Sequence, residues 1–258
     1  MRAAFTTGGR DASDPPALER ESALGRVRHG ALLLGHNALA RGRCLGLAHA
    51  GDAVDPSRDL VHGAFDWEAA AEMSPPAVVV WMHPSKDPTQ TKPRYPILVQ
   101  RRNEVHADSR LGEDPMCTYD ALLAVRALQP GALHTDLFFR VPPPAEGSSH
   151  WTNVDTGLIS RWVKEVCPAA GLPTEGRGSS SLRIGGATDL YDLYGPQAER
   201  LIRERGRWAS DVAQIYQRVS ATAHGAASRA IGDSEGVDLQ SMLGGWAQLA
   251  VSHGRCGL

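Results

Sequence analysis

The chain has 258 residues, 42% of them hydrophobic, which is enough to bury a full core in one domain. Its formal net charge of -2 and pI near 6.5 exclude a strongly basic, whole-chain binder of nucleic acid or membranes, so an anionic partner would be met by a local patch. Its 4 cysteines form no C-x-x-C pair, which argues against a zinc ribbon or a disulfide framework and favours reduced thiols.

The sequence contains no apolar segment of the length that a membrane span requires, which is about 18 residues. Its first residues, "MRAAFTTGGRDASDPPALER", also lack the apolar centre of a signal peptide. We therefore expect an intracellular protein that has no membrane partner.

Composition divides the chain into three parts. Residues 1–15 are rich in Gly, Asp, Thr and Pro, and they predict a disordered lead-in. Residues 16–230 contain the periodic apolar stretches and predict one domain. Residues 231–258 predict a C-terminal helical tail, whose apolar pattern is weaker.

The first part of the domain predicts helix followed by strands. Residues 16–45 have apolar side chains at helical spacing, and they predict two helices with a break near Gly30. After a loop, "LVHGAFDW" predicts one short strand. Ala77–Met82 and Tyr95–Gln100 are β-rich runs joined by a polar connection, so they predict a β-hairpin with a long loop.

The second part of the domain is predominantly helical. "PMCTYDALLAVRAL" and "NVDTGLISRWVKEVCPAAGL" each predict a helix, the second of them capped by Asn153 or Asp155, and "RVPPPAEGSSHW" between them predicts a loop. Further helices are predicted over residues 181–193, 196–205 and 210–221. The sequence therefore predicts an α+β fold, a mostly helical domain with one small antiparallel β-sheet.

Arg183 and Tyr216 are the first candidates for chemistry. Arg183 is predicted in the first turn of a helix whose preceding serines can cap it, so its guanidinium would lie near the positive end of the helix dipole and suit a phosphate. Ser210 is a predicted N-cap for the helix that carries Tyr216. Two turns along that helix, Tyr216 would be able to face Arg183.

The stretches "SLRIGGAT" and "GRWASDVAQIYQR" resemble the tyrosine recombinase, or phage-type integrase, superfamily. The catalytic domains of that superfamily carry an H-x-x-R box and, later, a His or Trp followed by a nucleophilic Tyr. The combination is especially similar to the recombinases of the DIRS-like and Crypton-like mobile elements of eukaryotes. The resemblance extends over roughly residues 28–222 and implies the superfamily's α+β catalytic core.

The resemblance also implies a set of site residues in this chain. Carried over position by position, the catalytic residues are Arg41, Lys86 in the hairpin loop with Lys92 as the second choice, Arg183, Trp208 or Arg207, and the nucleophile Tyr216. Trp208 is the usual type of residue, whereas Arg207 has the usual spacing, nine residues before Tyr216. Arg41, Arg183 and Ser180 would contact the DNA phosphate.

The implied activity is the breakage and rejoining of DNA, as in recombination or integration, with DNA as the partner and no metal or other cofactor. The Tyr216 hydroxyl would attack a backbone phosphate to give a 3'-phosphotyrosyl intermediate. Arg41 and Arg183 would stabilise the charge that grows on the phosphate, and Lys86 would protonate the leaving 5' oxygen. The resemblance further implies a homo-oligomer on DNA and, in a eukaryote, a nuclear location.

Two positions depart from the family pattern. Ser180 stands where the box has its His, and a serine cannot act as an imidazole acid or base. Cys44 stands where the first box has the carboxylate that would orient Arg41. Two hypotheses therefore stay open: an active DNA strand transferase, and a catalytically inactive DNA-binding relic of the same fold. A third is an unrelated helical interaction domain in which Tyr216 only fills the core.

Overall fold

The computed structural model describes residues 15–70, 72–83, 94–101, 116–143 and 150–207, and for residues 15–22 it describes the backbone alone. All of the described residues belong to one compact unit. Residues 1–14 of the expected lead-in, the helix predicted over residues 210–221 and the tail predicted over residues 231–258 lie outside the described ranges.

Helices predominate in the described residues, and a small antiparallel sheet accompanies them, so the predicted α+β fold class is confirmed. The helices are α1 Pro15–Asn37, α2 Gly42–Leu45, α3 Thr118–Ala127, α4 Thr156–Val166, α5 Ser179–Tyr194 and α6 Ala198–Gly206. The strands are β1 Phe65–Asp66, β2 Ala77–Met82, β3 Tyr95–Gln100, β4 Arg140–Val141 and β5 Thr152–Asn153. None of the helices described is long and apolar enough to cross a membrane.

The main sheet has the strand order β1-β2-β3, and all of its pairs are antiparallel. The predicted bounds of β2 and β3 are confirmed. Side chains alternate between the two faces of a strand, so the paired residues Val80 and Ile97 both face the core. Met82 pairs with Tyr95 at the end of the hairpin, and this register places Tyr95 on the same inner face.

The predicted break near Gly30 is wrong, because α1 continues through this residue to Asn37. Gly30 marks a close approach between helices instead. A Cβ atom at this position would lie 2.8 Å from Cγ2 of Val125 on α3, so the glycine lets α1 and α3 pack closely. Packing against the core therefore outweighs the low helix propensity of one glycine.

The stretch "RVPPPAEGSSHW", predicted as loop, contributes residues to a second, two-stranded ribbon. Arg140 pairs with Asn153, and Val141 pairs with Thr152, in antiparallel orientation. Strands of two residues are too short to show an alternating pattern, which explains why the sequence does not predict them. The N-cap prediction for α4 is resolved in favour of Asp155, whose Oδ1 accepts a hydrogen bond from the Leu158 N–H at 2.9 Å.

Helix α5 packs against the end of α1 through a glycine. A Cβ atom on Gly186 would lie 2.1 Å from the backbone oxygen of His36 and 2.5 Å from Cδ2 of Leu39. The adjacent Gly185 has more space, since its Cβ atom would come no closer than 3.4 Å to the His36 ring. The two neighbouring glycines thus differ in how much room they leave for a side chain.

We predict that Gly186→Ala lowers the free energy of unfolding by about 1–3 kcal/mol, because the added methyl group must push against the α1 backbone. Gly185→Ala is the matched control, and it should leave stability unchanged or raise it by up to about 1 kcal/mol through helix propensity. Urea denaturation followed by circular dichroism measures both changes. Equal effects of the two substitutions would contradict this account of the α1–α5 contact.

Candidate functional site

Arg183 is a buried arginine of α5, with a relative exposure of 4%. Its Nη2 donates a hydrogen bond to the backbone oxygen of Gly206, the last residue of α6. The carbonyl end of a helix carries partial negative charge, and this favours a guanidinium there. The sequence predicted Arg183 in the first turn of its helix and near the positive end of a dipole. Instead it is the fifth residue of α5, and its side chain meets the negative end of α6.

Arg207 directly follows α6 and connects it to the β2–β3 hairpin. Its Nη1 donates to the backbone oxygen of His83 at 2.9 Å, and its guanidinium carbon lies 4.4 Å from the ring centroid of Tyr95. Its two terminal nitrogens lie 3.7 and 3.8 Å from Sγ of Cys44. The backbone of Arg207 is left-handed, with φ 57° and ψ 45°, a conformation that non-glycine residues seldom adopt. These side-chain contacts give the physical reason for this conformation.

Tyr95 lies beneath the Arg207 guanidinium, at the first position of β3. Its hydroxyl is buried and has no hydrogen-bond partner among the described residues. Burial raises the pKa of Tyr95 well above its ordinary value, because the phenolate would lose its hydration. The charges of Arg207, Arg183 and Arg41 oppose this rise. Of these three arginines, Arg207 is the one that packs on the Tyr95 ring.

Arg41 reaches this region because α2 packs closely against the start of α5. A Cβ atom on Gly42 would lie 2.6 Å from Oγ and 2.7 Å from Cβ of Ser179, so only glycine permits this approach. Arg41 occupies the N-cap position of α2, and its side chain is partly exposed. Ser180, the second residue of α5, is exposed beside this contact. The close packing of α2 and α5 places the turn that carries Arg41 beside the start of the helix that carries Arg183.

A buried carboxylate holds the neighbouring Arg43. Oδ1 of Asp59 lies 2.6 Å from Nη1 of Arg43, and Oδ2 accepts a hydrogen bond from the Asp55 N–H at 2.8 Å. The Asp59 side chain is 1% exposed, whereas that of Arg43 is 38% exposed. Cys44, which stands where the motif that the chain resembles has an acidic residue, contacts Arg207 and donates to the backbone oxygen of His83 at 3.8 Å. Sequence spacing gave no sign of Asp59, which lies 16 residues beyond Arg43.

His83 follows β2 and lies among cations. Burial lowers the pKa of its imidazole, and the surrounding guanidinium charges lower it further; in order of effect they belong to Arg58, Arg94, Arg43 and Arg207. Arg94, on the other side of the hairpin loop, donates a hydrogen bond to the backbone oxygen of Pro56. Arginines are therefore concentrated around this end of the hairpin in a chain whose net charge is -2.

Of the residues predicted for the site, Arg183 and Arg207 meet at the end of α6, and Arg41 lies next to Gly42, which packs against Ser179 at the start of α5. Ser180 is exposed at the second position of α5, and the other predicted residues lie outside the described ranges: Lys86, Lys92, Trp208 and Tyr216. Sequence reasoning missed Tyr95, for which alternation along β3 was the available signal, since it indicates an inward side chain at the loop end of the hairpin. Among the described residues, no group of three His, Cys, Asp or Glu side chains is placed to hold a metal ion.

No protein-family model matches the chain, and no curated protein is similar to it. Two solved structures that are similar to it are complexes of the XerH site-specific recombinase. The post-cleavage complex with palindromic difH substrate has 18% sequence identity and a TM-score of 0.48, over 87% of this chain and 48% of that chain. The pre-cleavage complex with difH substrate has 18% identity and a TM-score of 0.44, over 87% and 49%. The chain thus spans about half the length of these two proteins.

We predict that His83 makes stability depend on pH. A lowered pKa means that the folded chain takes up a proton less readily than the unfolded chain, whose histidine titrates near 6.5. The contribution of neutral His83 to the free energy of unfolding is therefore fully present above about pH 6.5. It is lost as the pH falls towards the lowered pKa, by at most about 1.4 kcal/mol per pH unit.

In His83→Gln, the free energy of unfolding should fall less between about pH 7.5 and pH 5.5 than it does in the parent chain, as measured by urea denaturation. The exposed His49 provides a control, because His49→Gln removes an imidazole and leaves the arginines around the hairpin in place. A His83→Gln variant with the same pH dependence as the parent chain would show that His83 is not a source of the effect.

Proposed function

We propose that the chain is a DNA strand transferase of the tyrosine recombinase type, which breaks and rejoins DNA through a 3'-phosphotyrosyl intermediate on Tyr216. The observation that carries the proposal is the meeting of Arg183 and Arg207 at the end of α6, where Arg207 covers the Tyr95 ring and where the charges of Arg41, Arg183 and Arg207 all act on Tyr95. The three guanidinium groups repel one another, because they carry the same charge. An anion bound between them would offset this repulsion in a chain whose net charge is -2. Guanidinium groups match the geometry of a phosphate.

In the proposed reaction, the phenolic oxygen of Tyr216 forms a bond to phosphorus and loses its proton to solvent water. The bond between phosphorus and the 5' oxygen breaks, and that oxygen takes a proton from Lys86, or from Lys92 as the alternative. Arg41 and Arg183 stabilise the negative charge on the non-bridging oxygens. The phosphotyrosyl bond replaces one phosphodiester bond, so a 5'-hydroxyl can reverse the step without a high-energy cofactor.

Arg207 has a different part in the proposal. Its guanidinium already donates to the His83 backbone oxygen and covers the Tyr95 ring, so it holds α6 against the end of the hairpin. We infer that it positions the two strand ends from which the lysine loop extends. Trp208, the next residue, then stays the candidate of the usual type for a direct contact with the phosphate.

DNA is the proposed partner, and the arginines around the hairpin end are the features of this chain that support it. A homo-oligomer on DNA, an integration reaction, an origin in a DIRS-like or Crypton-like mobile element and a nuclear location in a eukaryotic cell belong to the same proposal. They rest on the resemblance of "SLRIGGAT" and "GRWASDVAQIYQR" to that group of recombinases.

The second candidate is a catalytically inactive DNA-binding relic of the same fold. Ser180 is exposed and is not an imidazole, and Cys44 brings no carboxylate to Arg41. In addition, Arg183 and Arg207 both donate to backbone oxygens of the protein itself, at Gly206 and His83. These features favour the relic if catalysis needs the missing imidazole. DNA binding would persist in it.

The decisive test of the activity is a covalent protein–DNA adduct. Incubation with nicked or bubbled suicide substrates should give an adduct that denaturing gels resolve, and Tyr216→Phe should abolish it because the nucleophilic oxygen is gone. Tyr194→Phe serves as the control, since Tyr194 is 55% exposed at the end of α5, and its adduct yield should equal that of the parent chain. An adduct that survives in Tyr216→Phe would refute the assignment. DNA binding without an adduct on any substrate would favour the relic.

Arg41 provides a second prediction, because it is partly exposed and can be removed with little risk to folding. Arg41→Ala should lower the rate of adduct formation by about 100–1000-fold. It should also reduce the slope of log Kd against log salt by about 1, since one phosphate contact is lost. The exposed Arg200, paired with Glu204 at 2.8 Å, gives the matched control Arg200→Ala. Equal effects of the two substitutions would contradict the role of Arg41.

A further inference from the structure

The hydroxyl of Tyr95 is a buried polar group whose bonding is incomplete. No described residue accepts its proton or donates to its oxygen. Buried polar groups in folded proteins are nearly always hydrogen-bonded, so an exception calls for an explanation. The ring itself is well anchored, because Tyr95 pairs with Met82 in the sheet and Arg207 stacks on its face. The part of the chain that the structure describes therefore fixes this hydroxyl in place without giving it a hydrogen-bond partner.

The groups that act on this hydroxyl cannot accept its proton. They are mainly the guanidinium groups of Arg41, Arg183 and Arg207, and a guanidinium has donors only. The thiol of Cys44 is engaged by Arg207 and by the His83 backbone oxygen. Among the described groups that act on this hydroxyl, none is a carboxylate. An oxyanion would supply several acceptor sites to the hydroxyl and to the arginines together.

We propose that Tyr95 is a phosphate-binding residue whose hydroxyl donates a hydrogen bond to a non-bridging oxygen of the DNA phosphodiester bound by Arg41 and Arg183. This inference rests on the proposed function, since it names a further contact to the same phosphate. Tyr95 would supply a neutral donor in a site where Ser180 has replaced the family's histidine. It is a binding residue and takes no part as a nucleophile.

The surroundings of Tyr95 suit this role. Because burial raises the pKa of Tyr95, the phenol keeps its proton at neutral pH and acts as a donor. The Arg183 side chain is also shielded from solvent, so a phosphate that reaches both groups leaves most of its water behind. Hydrogen bonds to an anion are stronger where water is excluded.

Tyr95→Phe removes the hydroxyl and keeps the ring that Arg207 covers, so it tests the inference with little disturbance. We expect its Kd for a duplex of about 20 base pairs to rise about tenfold at constant salt. The slope of log Kd against log salt should stay that of the parent chain, because no charge is removed. The melting temperature without DNA should stay the same or rise, since the phenylalanine has no unsatisfied group to bury.

Tyr119→Phe is the matched control, because Tyr119 packs edge-on against Trp67, with ring centroids 5.8 Å apart, and is on α3. Its Kd for the same duplex should equal that of the parent chain. An unchanged Kd in Tyr95→Phe would overturn the inference. A lower melting temperature with an unchanged Kd would do so as well, and would assign the hydroxyl to the protein's own hydrogen bonding.

The outcomes separate this inference from the proposed function. Weaker DNA binding by Tyr95→Phe, in a chain that forms no covalent adduct, would support the phosphate contact and favour the inactive relic. Adduct formation by the parent chain together with an unchanged Kd in Tyr95→Phe would support the activity and refute the contact. A parent chain that does not bind the duplex at low salt would refute both.

Discussion

The hydrogen bond from the buried Arg183 guanidinium to the last carbonyl of α6 is the contact on which the site depends. Removing a guanidinium from water costs several kcal/mol unless acceptors replace the water, and the carbonyl end of a helix is a suitable acceptor. This bond fixes the end of α6 relative to α5, and therefore fixes where Arg207 begins. Arg207 in turn contacts the loop end of the hairpin, through the His83 backbone oxygen and the Tyr95 ring. The buried charge of Arg183 thus helps to fix the positions of α5, α6 and the hairpin relative to one another.

Much of the fold was predictable because it follows from local pattern. The β-branched run of β2 and the alternation in β3 gave the correct strand bounds, and Asp155 is a strong N-cap residue. The wrong or missing fold predictions have a common cause, because the features concerned depend on contacts between residues that are distant in sequence. Gly30 breaks no helix because α3 packs against it, and the β4–β5 ribbon depends on pairing rather than on periodicity. Family motifs selected Arg41, Arg183 and Arg207, whereas no motif includes the Tyr95 hydroxyl or the Asp59 carboxylate.

The positions that depart from the motif that the chain resembles determine which groups surround the end of the hairpin. Cys44 stands where that motif has a carboxylate, so Arg207 contacts a thiol there, and Asp59 pairs with Arg43. The charge around the hairpin end stays positive as a result, which favours the binding of a phosphate over that of a neutral ligand. Binding and catalysis are separable in this arrangement. In the proposed function, the arginines and Tyr95 would bind the phosphate, while strand transfer would additionally require Tyr216 and a lysine of the hairpin loop.

The central claim is that Arg41, Arg183 and the Tyr95 hydroxyl bind one oxyanion. A crystal structure of the full chain with tungstate, an analogue of phosphate that scatters anomalously, tests it most directly. We expect an anomalous peak within about 4 Å of the Tyr95 hydroxyl oxygen and of the Arg41 guanidinium, the range of an oxyanion bonded to both groups. A structure in which tungstate occupies only exposed arginines such as Arg200, and leaves this position empty, would contradict it.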